Sequence, residues 1–160
     1  MILPYETQRE VELFLLQEAK LLDMGDFGAW LDLYAPQGIY WMPSQPGQSD
    51  AKNVASIIYE DHAILAIRVR RLIDARALVL TPMPRTTHLV SNIEITNSAG
   101  DEVTAEAAFI CIEHQGDQRH LYSGRQTHQL IRGNGSFRIS QKRVELLDCD
   151  GRHAPITIPI

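Results

Sequence analysis

Three turn-rich breaks late in the chain, "NSAGD", "QGDQ" and "GNGS", constrain the fold more than any other feature. They separate four runs that favour extended structure: about Thr87–Thr96, Glu102–His114, His120–Arg132 and Phe137–Leu147. Breaks this short fit antiparallel hairpins, so the spacing predicts a long meander.

The chain before the meander has a helical period. "YETQREVELFLLQEAKLLDMG" reads as an amphipathic helix ending near Gly25, with Val11, Phe14, Leu15, Ala19 and Leu22 on one face. Asp26 is placed to cap a short second helix, "FGAWLDLY", and "GIYWMP" follows as a strand that Pro43 ends. Ser44 to Asn53 is a loop by its turn chemistry. Asp61 caps a third helix, His62 to about Arg76, whose core stripe is Leu65, Val69, Leu72 and Ile73. Ile64, Ile67 and Arg71 gather on nearly the opposite side, a second apolar patch that suggests contact with another chain. "ITIPI" at the end is expected to form a last edge strand. Helices first and strands after give an α+β class, and 160 residues suit one domain over residues 1–160.

The strand faces carry further information. In Val103–Ile112 the odd positions are Val103, Ala105, Ala107, Phe109 and Cys111, while Ala108, Ile110 and Ile112 make the other face apolar too. An antiparallel sheet ordinarily keeps one face wet. Three helices cover one face, and another subunit is the simplest cover for the other. Phe137–Leu147 lacks clean alternation, which predicts a bulge or a two-sided contact.

Bulk properties exclude several functions. Net charge is −5 and no basic run stands free of acids, which argues against nucleic acid. No apolar run approaches the ~20 residues of a membrane span. The start of the chain lacks the marks of a signal peptide. The two cysteines, Cys111 and Cys149, form no Cys-x-x-Cys, which points to a reduced, cytoplasmic protein. They cannot hold an iron–sulfur cluster through four thiolates, and ligand pairs for a Rieske centre are missing from the sequence.

Individual polar residues leave alternatives open. Glu18 falls on the buried stripe of the first helix, so it is either salt-bridged, with Arg68 as the expected partner, or a general base in a pocket. His88 and Asn92 lie in "PRTTHLVSNIEIT" and, on a strand, stand about 13 Å apart at ~3.3 Å per residue, too far to share a metal. They satisfy turn groups near a sheet end or belong to a pocket or subunit contact. His114 and His120 face each other across a hairpin if the loop centres on Asp117. Asp23, Asp26 and Asp32 read as capping and solvated residues. His62 sits near the core side of its helix, and His128 points either inward with Tyr122 or to solvent.

Longer stretches resemble a known family. "FLLQEAKLLDMGDFGAWLDLYAPQGIYWMP", "IIYEDHAILAIRVRRL" and "PMPRTTHLVSNIEI", in that order, resemble the small, or β, subunit of Rieske-type aromatic-ring-hydroxylating dioxygenases. The last matches the family pattern Arg-Thr-x-His-x-x-x-Asn at Arg85, His88 and Asn92, which the resemblance implies are structural or contact positions. It also implies an NTF2-like cone, a strongly curved, antiparallel or mixed sheet wrapped around about three N-terminal helices. The implied role is non-catalytic: to trimerise and seat large α subunits in an α3β3 hexamer. The α subunits would carry the Rieske cluster and a mononuclear iron, with no cofactor or metal in this chain. The chain opens close to its first helix, so a longer N-terminal arm is not expected. "TPMPRT" resembles members acting on benzoate-like acids. The competing expectation is a stand-alone NTF2-like dehydratase or isomerase using Glu18, His62 or His128, with Tyr40 as a donor. A ligand-binding module without a partner enzyme is a third.

Overall fold

A computed structural model describes residues 4–74 and 80–160 of the chain. Helix α1 spans Tyr5–Asp23, α2 Phe27–Leu31 and α3 His62–Ile73. Strands β1 (Tyr34–Pro43), β2 (Ser56–Asp61), β3 (Arg85–Ala99), β4 (Glu102–Gln115), β5 (Gln118–Gly133) and β6 (Ser136–Leu146) form one six-stranded sheet in the order β2-β1-β6-β5-β4-β3. Only β1 and β6 pair in parallel; every other neighbour is antiparallel. The class is α+β, with a mixed sheet.

Local signals fix the ends of these elements. Helix α1 buries Val11, Phe14, Leu15, Leu21 and Leu22 and stops before Gly25, whose φ of 70° only glycine adopts freely. The Asp26 side chain accepts from the Ala29 amide and opens α2, and Asp61 does the same for Ile64 and α3. Asn134 and Gly135, both at positive φ, make the two-residue turn between β5 and β6. Mid-strand, a Cβ on Gly124 would run into the Glu145 carbonyl, so β5 and β6 close there around glycine.

Several expectations change. The sheet is not strongly curled. Its register breaks are confined to a few bulges, and large side chains fill the space beneath it: Trp30, Tyr40, Met42, Leu65 and Lys142 are all essentially buried. Strand β2 is an additional element, a short run that leads straight into the α3 cap at Asp61. Helix α2 is one turn and a little, since Tyr34 already belongs to β1. Ile73 is 62% exposed rather than in the core, and the expected helix end near Arg76 lies outside the described residues. "ITIPI" forms no strand. It is an extended tail that puts Ile158 and Ile160 into the core, because Tyr40 captures both backbone groups of Ile160: its hydroxyl accepts from the amide at 3.2 Å and donates to the carbonyl at 3.1 Å.

Strand β4 confirms the two apolar faces. Its odd positions from Val103 to Cys111 are buried, while Ile110 remains 42% exposed on the outer face. Leu89 and Leu121 stand exposed on the same face, in rows flanking Ile110 and Ile112.

Candidate functional site

The most concentrated polar chemistry lies in the centre of the molecule. Helix α1 delivers Glu18 to the core, where three donors meet its carboxylate. His128 Nε2 is 2.7 Å from Oε2, Lys142 Nζ is 2.6 Å from Oε1, and Trp30 Nε1 donates to Oε1 at 3.1 Å. Glu18, His128 and Lys142 are each at most 2% exposed. Burial pushes the Glu18 carboxyl up, but the Lys142 ammonium and then His128 more than reverse that push. The group is held well below the usual carboxylate range. A general base needs the opposite tuning, with an affinity for protons near neutrality. Two buried polar atoms around this centre, His128 Nδ1 and the Tyr34 hydroxyl, have no hydrogen-bond partner among the described residues.

The Glu18–Arg68 pair expected from sequence does not form. Arg68 instead makes a two-pronged pair with Glu60 on β2, Nε to Oε2 at 2.9 Å and Nη2 to Oε1 at 2.5 Å. Lys142 was missed as the true partner, and the reason is the bulge in β6. Leu130 pairs with Ile139 but Gln129 pairs with Gln141, so Ser140 is an extra residue and the inward parity switches. Before it Phe137 and Ile139 face in; after it Lys142, Val144 and Leu146 do. The broken alternation was visible in the sequence, while its consequence for a lysine was not.

The other candidate residues scatter. His128 faces inward. Tyr40 is buried against Trp30, ring centroids 5.7 Å apart, and is committed to Ile160. Burial raises its hydroxyl pKa well above the ordinary value. His62 is half-buried at the start of α3, away from the Glu18 cluster's hydrogen bonds. Ile64, Ile67 and Arg71 line an open cleft of about 510 Å3 together with Leu72, Leu80, Thr157 and the Glu60–Arg68 pair.

The Arg-Thr-x-His-x-x-x-Asn stretch resolves into three separate jobs. Asp23, at the end of α1, accepts from the Thr86 hydroxyl, the His88 amide and, at 2.6 Å, His88 Nδ1. Burial opposes the ionised Asp23, but the His88 and Thr86 hydrogen bonds outweigh it and lower its pKa. Asp23 is thus a bracket between helix and sheet rather than a solvated residue. Asn92 sits at φ 54° where the β3–β4 register slips, a conformation asparagine tolerates better than most residues. Arg85 points outward beside His114, Nη2 to Nδ1 3.4 Å. His114 and His120 do not face each other: the turn is Gly116-Asp117, so His114 pairs with Arg119 and His120 with Glu113. His120 Nδ1 lies 3.1 Å from the buried Glu113 carboxylate.

Residues 17–150 match the family described as the ring hydroxylating beta subunit. The chain belongs to that family. This beta-subunit chain is 34% identical over 141 residues to the small oxygenase component of the p-cumate 2,3-dioxygenase system of Pseudomonas putida, covering 87% of this chain and 78% of that one. It is 30% identical over 142 residues to the 2-halobenzoate 1,2-dioxygenase small subunit of Burkholderia cepacia, covering 86% of each. The crystal structure of the beta subunit of benzoate 1,2-dioxygenase from Burkholderia mallei superposes with a TM-score of 0.74 at 26% identity, over 91% of this chain and 92% of that one.

Within this beta-subunit fold, no group of three or more His, Cys, Asp or Glu side chains converges as a metal site among the described residues. Both cysteines are buried and unbridged, and burial, with Asp23 nearby, pushes the Cys111 thiol up to about 12. No helix among the described residues is long and apolar enough to cross a membrane.

Proposed function

We propose that this chain is a structural, non-catalytic beta subunit of a multicomponent, cytoplasmic aromatic-ring-hydroxylating dioxygenase. It trimerises and seats three large subunits, and those carry the Rieske cluster and the mononuclear iron that cis-dihydroxylate the ring. A benzoate-like acid is the substrate class, in line with relatives named for 2-halobenzoate, p-cumate and benzoate.

One observation carries the reading. Glu18, the carboxylate best placed for chemistry inside the fold, is saturated by Lys142, His128 and Trp30 and shut from solvent. An acid spent on neutralising a buried lysine supports a scaffold rather than a dehydratase or isomerase. Among the apolar side chains left in water, Ile64 and Ile67 cluster on α3, and Leu89, Ile110 and Leu121 on the outer face of the sheet. Such patches mark protein contacts. We assign the α3 patch, with Arg71, to the large subunit and the sheet face to further copies of this chain.

Co-expression with the large subunit tests this. An iron–sulfur protein should co-purify with the tagged chain, and the assembled complex should hydroxylate a benzoate while this chain alone does not. Turnover by the isolated chain, abolished by Glu18→Gln, would reverse the conclusion.

A further inference from the structure

The cleft beside α3 has the composition of a small-molecule site. Its apolar lining comes from Ile64, Ile67 and Leu72 on the helix and from Leu80. Leu72 and Leu80 are buried, while Ile64 and Ile67 are 49% and 53% exposed, so the lining passes from dry to wet. Its volume of about 510 Å3 lies in the range of ligand pockets. None of the Glu18 cluster lines it, so this space is separate from the buried charge network.

The charges around the cleft do not balance. Two guanidiniums line it, Arg68 and Arg71, against one carboxylate, Glu60. Arg68 and Glu60 are spent on each other, at 2.9 Å from Nε to Oε2 and 2.5 Å from Nη2 to Oε1. Arg71, in the last turn of α3, has no ion pair among the described residues. One positive charge is therefore left over beside an apolar wall. The tail adds a second unmet group: Thr157 also lines the cleft, and its Oγ1 is shut from water with no hydrogen-bond partner among the described residues.

This lining selects a class of ligand. A cation would meet the surplus guanidinium, and a polyphosphate needs more free cations than one. A neutral hydrocarbon leaves Arg71 unanswered. A carboxylate matches the fork of a guanidinium, and an apolar body matches the isoleucines and leucines.

We propose that this cleft binds a small apolar monocarboxylic acid, with the carboxylate on Arg71 and the hydrocarbon body against Ile64, Ile67, Leu72 and Leu80. The site holds a ligand and has no reaction of its own. It goes beyond the beta-subunit reading, because its recognition groups all belong to this chain.

Titration of the free full-length chain tests it, with benzoate as the probe and its neutral analogue benzamide as the control. Calorimetry should show saturable binding of one benzoate per chain, with benzamide roughly tenfold weaker. Amide resonances of α3 and Leu80 should shift on addition of benzoate. Arg71→Gln should weaken benzoate roughly tenfold and erase its advantage over benzamide, while Arg71→Lys keeps part of that advantage. Ile64→Trp fills the cleft without touching its charge and should weaken both probes. Both positions are exposed, and unchanged melting shows that the variants fold. Wild type that does not saturate with benzoate, benzamide that binds as well, or Arg71→Gln that keeps the preference for the acid would overturn the proposal. Resonance shifts confined to other elements would do the same. Capture of the large subunit enters none of these readouts, so the acid site and the beta-subunit role stand or fall separately.

Discussion

His128 on β5 and Lys142 on β6 are direct cross-strand partners, and each holds a different oxygen of the same buried carboxylate, Glu18. The pairing ties the first helix to the two central strands by charge as well as by packing. A buried ion is costly unless it is paired and hydrogen-bonded, and here all three conditions of good geometry, opposite charge and a third donor are met.

Lys142→Met strands the Glu18 carboxylate in the core. We expect a loss of about 3–5 kcal/mol in urea unfolding. Adding Glu18→Gln removes the stranded charge and should restore a large part of that loss. Two single variants whose costs simply add in the double would show that the pair does not act as a unit.

The pH dependence follows from the sign of the Glu18 shift. Its folded-state pKa is depressed, so its contribution is fully present above the unfolded glutamate value of about 4.3 and drains away as pH falls toward the folded value. Asp23, also depressed, acts with the same sign. Wild-type stability should therefore decline below about pH 4, with a visibly flatter decline in Glu18→Gln. Denaturant midpoints measured across that range decide it.

Asn92→Val should cost about 1–2 kcal/mol, because a β-branched residue resists the positive φ at the bulge, whereas Asn92→Gly should be nearly neutral. Equal midpoints for the two variants would mean that the bulge relaxes.

Tyr40→Phe leaves the amide and carbonyl of Ile160 buried without a partner. A loss of about 1–3 kcal/mol is expected, concentrated at the tail. Hydrogen exchange at the Ile160 amide should quicken while the amides of β4 stay protected.

Ile67→Asp changes a residue that is 53% exposed, so the isolated chain should keep its stability to within about 0.5 kcal/mol. Retention of the large subunit on an affinity column should drop sharply. Normal retention would remove α3 from the interface.

The sequence by itself determined the helices, the meander and the family. Short-range signals suffice for the helices and the meander: apolar positions recurring at helical spacing, Asp26 and Asp61 as caps, and turn residues between β-rich runs; the family shows in the resemblance of longer stretches such as "PMPRTTHLVSNIEI". It also exposed the second apolar face, since the alternation in β4 shows both sides of a strand at once. Only the tertiary structure decided who neutralises Glu18. That depends on one extra residue, Ser140, which flips the parity of β6 and turns Lys142 inward, and no local pattern says where a bulge will fall. Asp23's grip on Thr86 and His88, and the tail's hold on Tyr40, were likewise beyond local reading. Those partners lie 63 to 120 residues apart, and chain topology rather than spacing brings them together.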